Sequence, residues 1–262
     1  MKIGIPLLSL LAFLVATPGC ASRPRASLPA YQVSTIDALL AGNYDAATTI
    51  GELARHGDLG IGTFTGLGGE MVALDGKFYD CRSDGRVVEA RPDRGVPYAT
   101  VLRFQPGIAV SGLAVADFAD LARKLDAALP TPNYLYAVRI DGEFEHVHCR
   151  SVPPQAKPYP PLAEVVKQQA EFHYRQVSGT LLGFRSPPWS RGISVPGWHL
   201  HFIASDRSGG GHVLDVRFAG STAKIERSQQ FLLCLPGDAQ FAKTDLAQDH
   251  QQELRQVEQA AR

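Results

Sequence analysis

Two Asp-Gly pairs, Asp75-Gly76 and Asp141-Gly142, each stand between stretches in which apolar and polar residues alternate. Asp-Gly is a strong short-range signal for a two-residue hairpin, because both central residues of that turn adopt positive φ. Residues 69–79 therefore predict one antiparallel hairpin, and residues 134–150 predict a second. A chain built on such hairpins is constrained to form antiparallel or mixed sheets.

The same alternation predicts further strands along the chain, at 98–104, 177–185, 198–205, 212–218, 222–227 and 231–234. Capping residues and apolar positions at helical spacing predict helices at 35–40, 49–56, 117–128, 162–172 and 244–262. Because hairpins dominate and helices are few, we predict an α+β fold with mixed or antiparallel sheets.

A segment with five prolines, residues 151–162, is the clearest internal boundary, since such a segment is extended and semi-rigid. We predict an export signal and tether at 1–30, an N-terminal α/β subdomain at 31–161, and a closely associated C-terminal subdomain at 162–262. The last of these is β-rich, carries the metal-binding residues and ends in a helix.

The N-terminus has the pattern of an export signal, with Lys2 followed by an apolar stretch at 3–16 and then small residues. Cys20 after those small residues resembles a bacterial lipoprotein cleavage site, although Thr17 departs from that pattern. We predict an exported protein, periplasmic or anchored in the outer membrane through a lipidated Cys20. The alternative is cleavage near Ala21, which gives a free secreted protein.

The charge is balanced, with 26 basic and 26 acidic residues, and no basic stripe is present. This composition argues against a nucleic-acid partner. Beyond Cys20 the chain has Cys81, Cys149 and Cys234. An odd and sparse set does not describe a disulfide framework, although one pair is left open as a bridge.

Three of the eight histidines, His199, His201 and His212, fall within fourteen residues. A His-x-His pair on a strand directs both rings to one face. A turn at Asp206-Arg207 places His201 opposite His212, so that the three rings cluster on that face. If the turn moves into the glycines at 209–211, the cluster opens, and the histidines are merely scattered on a half-buried sheet. We favour a metal site on the C-terminal sheet, because three protein ligands are typical of catalytic zinc.

Polar residues elsewhere in the chain are candidates to complete such a site. Glu70 begins a strand within a glycine-rich turn, and Arg150 ends a strand at the proline segment. Glu253 and Glu258 both flank the apolar stripe of the terminal helix, so periodicity does not choose between them. From pattern alone, solvated surface positions explain all four residues.

Several long segments, in order, resemble the α-acetolactate decarboxylase family. They lie at 31–42, 56–64, 69–71, 74–76, 150–153, 157–162, 195–202 and 210–215. The resemblance covers nearly the whole chain after the tether. It departs mildly at Gly69, where Asp is common, and at Trp198, where Tyr is common, so that only the shape of the pocket is affected.

The resemblance implies a carboxy-lyase with one zinc ion per chain, another divalent metal being the alternative. It implies conversion of acetolactate to (R)-acetoin and CO2 through an enediolate that the metal stabilises, and it suggests a homodimer. The metal ligands carried over by position are His199, His201 and His212. The catalytic residues carried over are Glu70, Arg150 and Glu258, the last because the family's terminal Val-Glu falls on Val257-Glu258.

Two other functions fit the same residues. A zinc-dependent hydrolase would use the site on esters or amides. A non-catalytic, metal-binding envelope lipoprotein would bind zinc and turn over nothing.

Overall fold

The computed structural model describes Met1 and residues 29–258. The predicted export signal, Cys20 and residues 259–262 lie outside the described residues. In residues 29–258 the chain forms fourteen strands: β1 (Ala30–Val33), β2 (Thr48–Thr49), β3 (Leu59–Thr63), β4 (Glu70–Leu74), β5 (Lys77–Cys81), β6 (Val87–Glu89), β7 (Gly95–Val96), β8 (Tyr98–Leu102), β9 (Ile108–Val115), β10 (Leu135–Ser151), β11 (Ala170–Ser186), β12 (Gly197–Ala204), β13 (Gly210–Ser228) and β14 (Phe231–Cys234).

The same residues form six α-helices: α1 (Ile36–Leu40), α2 (Ile50–His56), α3 (Phe118–Ala128), α4 (Leu162–Val165), α5 (Ala239–Lys243) and α6 (Gln251–Glu258). Short 3-10 turns occur at Thr65–Leu67, Val166–Gln168 and Pro188–Ser190. Among these helices, none of those described has both the length and the apolar character needed to span a membrane.

Two main sheets make up the fold, which confirms the predicted α+β architecture. The first has seven strands in the order β14-β1-β8-β3-β4-β5-β6, and the second has five in the order β10-β11-β12-β13-β9. Strands β1 and β14 are parallel, and the other pairs in the two sheets are antiparallel. Since β10 also pairs with β13, strands β10 to β13 close into a ring.

The two sheets draw strands from both sides of residue 161. Strands β9 and β10 precede it and belong to the five-stranded sheet, whereas β14 follows it and joins the seven-stranded sheet. The division of the chain into subdomains at that residue stays a prediction.

Of the two predicted hairpins, the first is confirmed and the second is wrong. Asp75 and Gly76 both have positive φ, 52° and 77°, and they connect β4 to β5. Asp141-Gly142 lies instead inside the continuous strand β10. A Cβ atom on Gly142 would approach the Ser221 hydroxyl oxygen to 2.4 Å. Glycine at that position therefore permits close packing of β13 on β10 and makes no turn.

The predicted helix at 162–172 is also wrong beyond its first turn. After α4 and one 3-10 turn, the chain enters β11 at Ala170. Glu171, His173 and Arg175 are exposed, while Phe172 and Tyr174 between them are partly buried. That alternation has the period of a strand, and β10 offers a full ladder of backbone partners to it.

The remaining helix predictions differ less from the structure. Helices α1, α2 and α3 match it, and their first turns are capped by Thr35, Thr49 and Asp117. The terminal helix begins at Gln251 and not at residue 244, and the short helix α5 precedes it.

The alternation of side chains on β12 determines where the site lies. Leu200 and Phe202 pack inside the ring of strands, in a core with Phe144. His199 and His201 therefore project from the outside of the ring, towards the seven-stranded sheet. Apolar side chains from both sheets, including Ile61 and Ile203, fill the adjoining space between them.

Candidate metal centre

The three predicted histidines come together between the two sheets. His201 on β12 is directly opposite His212 on β13, as the turn at 206–207 predicted. The Nε2 atom of His199 lies 3.0 Å from Nδ1 of His212. One nitrogen from each ring falls within 4.8 Å of the others, which is a spacing suited to one shared metal ion.

His201 is oriented by the neighbouring sheet. Its Nδ1 lies 2.9 Å from the backbone oxygen of Met71 on β4, so that Nδ1–H donates there and the Nε2 lone pair stays available. The Nε2 atom is buried and has no hydrogen-bond partner among the residues that the structure describes. A buried nitrogen without a partner costs stability unless something binds it, and a metal ion would meet that need.

Burial also keeps the three rings uncharged. It lowers the pKa of His199 to about 3, with the Arg150 guanidinium adding to the effect. Burial lowers the pKa of His201 and of His212 well below the ordinary value of 6.5. Neutral imidazole is the form that binds a metal, so the residues present fit a divalent transition-metal ion.

Glu70 and Glu258 each lie beside a different histidine of the cluster. Glu70 begins β4, and its Oε2 is 3.7 Å from Nε2 of His201. Glu258 ends α6, and its Oε2 is 3.7 Å from Nε2 of His212. Burial raises the pKa of each carboxyl to about 7, although Arg150 opposes the change in both. Each group is therefore able to hold or release a proton near neutral pH.

Glu253, the alternative to Glu258, lies elsewhere. Its carboxylate is 3.1 Å from Nδ1 of His250. It does not line the cavity, whereas Glu258 does.

Arg150 carries positive charge into the same space. It lies on β10 directly opposite His212, and only 4% of it is exposed. Its Nη1 donates to the side-chain oxygen of Gln169 at 3.2 Å, while its Nε is buried and has no hydrogen-bond partner within Met1 and residues 29–258. Gln169 fell within the helix predicted at 162–172, so the sequence interpretation missed it. The strand-like alternation that follows it was the signal for its true position.

The six residues line one cavity, whose empty space together with the open solvent at its mouth is about 470 Å³. The remaining wall is largely apolar and includes Ile36, Leu39, Leu67, Val152, Leu162 and Val257. Neither Gly69 nor Trp198, where the chain departs from the family pattern, is among the lining residues. The indole of Trp198 instead donates to Asp126 on α3 at 3.0 Å.

The cavity is partly enclosed and combines three neutral imidazoles, two carboxyls with raised pKa values and a guanidinium. The class of protein is therefore a two-sheet α+β protein with a metal-binding site. Comparison with known proteins agrees with that class. A family model for alpha-acetolactate decarboxylase matches residues 30–248. The alpha-acetolactate decarboxylase of Methanosarcina mazei is 46% identical over 228 residues, which are 87% of this chain and 79% of that protein.

Relatives from bacilli give the same result. The alpha-acetolactate decarboxylase of Bacillus subtilis is 40% identical over 216 residues, covering 82% of this chain and 85% of that protein. The X-ray structure of alpha-acetolactate decarboxylase from the same species matches with a TM-score of 0.85 at 37% identity, over 88% of this chain and 99% of that one. The chain belongs to the alpha-acetolactate decarboxylase family.

Proposed function

We propose that this chain decarboxylates acetolactate to acetoin and CO2, using one metal ion held by His199, His201 and His212. The observation that carries the proposal is the convergence of Glu70, Arg150 and Glu258 on those histidines in a single cavity. Family membership supports the choice of substrate, because the relatives in the comparison are named for this activity.

Zinc is the metal that this set of donors favours. Imidazole nitrogen suits zinc, and three protein ligands with an open position are typical of its catalytic sites. When bound, the ion would supply Lewis acidity to the hydroxyl and ketone oxygens of the substrate.

Arg150 binds and orients the substrate. Its buried guanidinium has an unused Nε donor, and a carboxylate is the group that such a donor recognises best. As the C–C bond to that carboxylate breaks, the electron pair stays on the substrate carbon and its ketone. The same positive charge then stabilises the charge that develops.

Glu70 and Glu258 manage the protons. Loss of CO2 consumes one proton, which must reach the carbon that carried the carboxylate. A carboxyl with a pKa of about 7 is protonated often enough at neutral pH to deliver it. We assign two tasks to this pair of carboxyls: they accept the proton of the substrate hydroxyl, and they transfer a proton to the carbon. Delivery from one side of a fixed substrate yields a single enantiomer, and the resemblance to the family implies that it is (R)-acetoin.

The test is acetoin formation from acetolactate by the purified protein, with and without a chelator. We expect rapid formation of one enantiomer on a chiral column, loss of activity with the chelator, and recovery on addition of zinc. Because acetolactate also loses CO2 slowly without a catalyst, the His199→Ala protein serves as the blank. A rate equal to that blank would refute the proposal.

The alternatives give different results in the same tube. A zinc hydrolase would cleave ester or amide substrates and ignore acetolactate. A non-catalytic metal-binding lipoprotein would retain zinc and convert neither.

We also propose that the protein is exported, with Cys20 lipidated, and that it forms a homodimer. The apolar stretch before Cys20 supports the first proposal, and the resemblance to the family suggests the second. Mass spectrometry of the membrane fraction should find lipid on Cys20, and the Cys20→Ala protein should leave that fraction. Light scattering should give twice the mass of the processed chain, which is smaller than the 28.3 kDa of the full sequence because the signal is removed. A monomer mass would refute the dimer.

A further inference from the structure

A second group of histidines lies on the same ring of strands, outside the cavity. His146 and His148 are on β10, and Glu171 and His173 are on the neighbouring strand β11. His148 is directly opposite His173 in the ladder. Two residues further along β10, Arg150 is directly opposite Glu171. Residues directly opposite each other in an antiparallel pair share a face, so these side chains project together.

The donor atoms of this group are already close enough to share an ion. One atom each from His148, Glu171 and His173 lies within 4.8 Å of the others. The Nε2 of His148 is 2.9 Å from Oε2 of Glu171. Around a tetrahedral zinc ion, ligand atoms about 2.0–2.1 Å from the metal are roughly 3.3 Å apart. Small side-chain movements therefore suffice to bring the three donors around one ion.

Neighbouring side chains hold the donors in place. Gln169 donates to Oε1 of Glu171 at 2.7 Å, which leaves Oε2 facing His148. The Nε2 of His146 lies 3.1 Å from Nδ1 of His173. A hydrogen bond at one ring nitrogen orients a histidine and leaves the other nitrogen for a metal. The stacked rings of His148 and His173, with centroids 4.1 Å apart, restrict both side chains further.

The surrounding charges are mixed. Arg175 on β11 and Arg217 on β13 pair with His146 in the two ladders, whereas Asp215 on β13 pairs with His148. Both arginines repel a cation, and the aspartate offsets part of that repulsion. Glu171 has 39% of its side chain exposed, so an ion here keeps contact with solvent. These features favour a weaker and more readily exchanged ion than the one in the cavity.

We propose that His148, Glu171 and His173 form a second metal site, which binds a divalent transition-metal ion such as Zn²⁺, Cu²⁺ or Ni²⁺. Two imidazoles and one carboxylate match the preferences of these ions and not those of Mg²⁺ or Ca²⁺. The site is separate from the acetolactate cavity, and its occupancy does not depend on whether the proposed decarboxylation is correct.

The test counts ions per chain. Metal-free protein is dialysed against a series of zinc concentrations, and bound zinc is measured by elemental analysis. We expect two ions per chain at saturation for the wild type, and one for the His148→Ala/His173→Ala protein. His199→Ala should also retain one ion, held at the second site. Arg175→Ala, a change on the same exposed face, should retain two.

A second variant and a spectroscopic measurement make the result decisive. His173→Gln keeps a side chain of similar size, and circular dichroism checks that each protein is folded. Cobalt bound to the His199→Ala protein should give visible absorption bands. These bands should be absent from the double variant that also carries the His173→Gln substitution. A wild type that saturates at one ion would overturn the proposal. So would a second ion that persists in both the His148→Ala/His173→Ala and the His173→Gln proteins.

Discussion

The ring of strands carries two His-x-His pairs, and they lie in very different surroundings. His199 and His201 face the seven-stranded sheet, and only 1% of His201 is exposed. His146 and His148 project from the same side of the ring, but Glu171 beside them has 39% of its side chain in solvent. Both pairs are completed by a histidine on a neighbouring strand, His212 in one case and His173 in the other.

The two clusters differ in how far other elements of the fold bury them. The seven-stranded sheet and α6 place Glu70 and Glu258 over the first cluster, where only 1% of His201 and 3% of His212 are exposed. This burial keeps the imidazoles neutral and raises the pKa of the two carboxyls to about 7. The second cluster has donors that the described part of the chain covers less completely, with 13% of the His148 side chain and 39% of the Glu171 side chain exposed. Histidines on paired strands bring potential metal ligands together in both clusters, two from the first His-x-His pair and one, His148, from the second. The shifted carboxyl pKa values that the proposed chemistry uses arise only where the cluster is buried.

Removal of one histidine from each cluster should distinguish the roles of the two clusters. His201→Ala should abolish the cavity's metal ion and bring acetoin formation down to the uncatalysed rate, because two remaining ligands do not hold zinc in a catalytic geometry. His173→Ala should leave that rate unchanged. Activity and zinc content are measured together in both proteins. Normal acetoin formation by His201→Ala would end the ligand assignment.

The next largest effect concerns Glu258, which α6 places beside the first cluster. Glu258→Gln removes the proposed proton carrier and leaves the three proposed metal ligands in place, so we expect retained zinc and turnover slower by about 10²- to 10⁴-fold. Glu253→Gln, five residues earlier on the same helix, should leave turnover unchanged. Steady-state rates and bound zinc distinguish the two. If Glu258→Gln were as fast as the wild type while Glu253→Gln were slow, the role would belong to Glu253.

Acid should reveal the burial of the first cluster. Burial lowers the pKa of His199 to about 3 and lowers those of His201 and His212 as well. A lowered pKa keeps the rings neutral, so metal binding is fully present above pH 6.5 and is lost only as the pH falls towards the folded-state values. The protein should therefore keep most of its cavity zinc at pH 6 and lose it at more acid pH. Zinc retained after dialysis, measured in the His148→Ala/His173→Ala background, checks this. Loss of half the zinc above pH 6 would contradict it.

The smallest expected effect tests whether the two clusters communicate. Gln169 accepts from Arg150 in the cavity and donates to Glu171 in the second cluster. Gln169→Ala should raise KM for acetolactate about fivefold, corresponding to the loss of about 1 kcal/mol of hydrogen bonding that positions the guanidinium. The same substitution should weaken the binding of the ion at the proposed second site by a similar factor. Gln168→Ala, at the adjacent exposed position, serves as the control. An unchanged KM in Gln169→Ala would mean that the clusters are independent.

Local patterns predicted the parts of the fold that depend on neighbours in sequence. The caps of α1, α2 and α3 and the turn at Asp75-Gly76 follow from a few adjacent residues. Asp141-Gly142 has the same signal and makes no turn, because strands from distant parts of the chain flank β10 on both sides. The helix predicted at 162–172 failed for the same reason, since β10 supplies backbone partners to β11 that no local pattern reveals.

The sequence by itself identified the three histidines and predicted their register, because a His-x-His pair and a turn at Asp206-Arg207 bring them together within one hairpin. The structure decided against the alternative turn in the glycines. Similarity to the family pointed to Glu70, Arg150 and Glu258, although their own patterns were those of surface residues. Only the tertiary structure decided that these three are buried around the histidines, and that Glu258 and not Glu253 lines the cavity. The physical reason is that burial and pKa depend on packing between segments up to 188 residues apart, from Glu70 to Glu258, and such packing leaves no periodic trace in either segment.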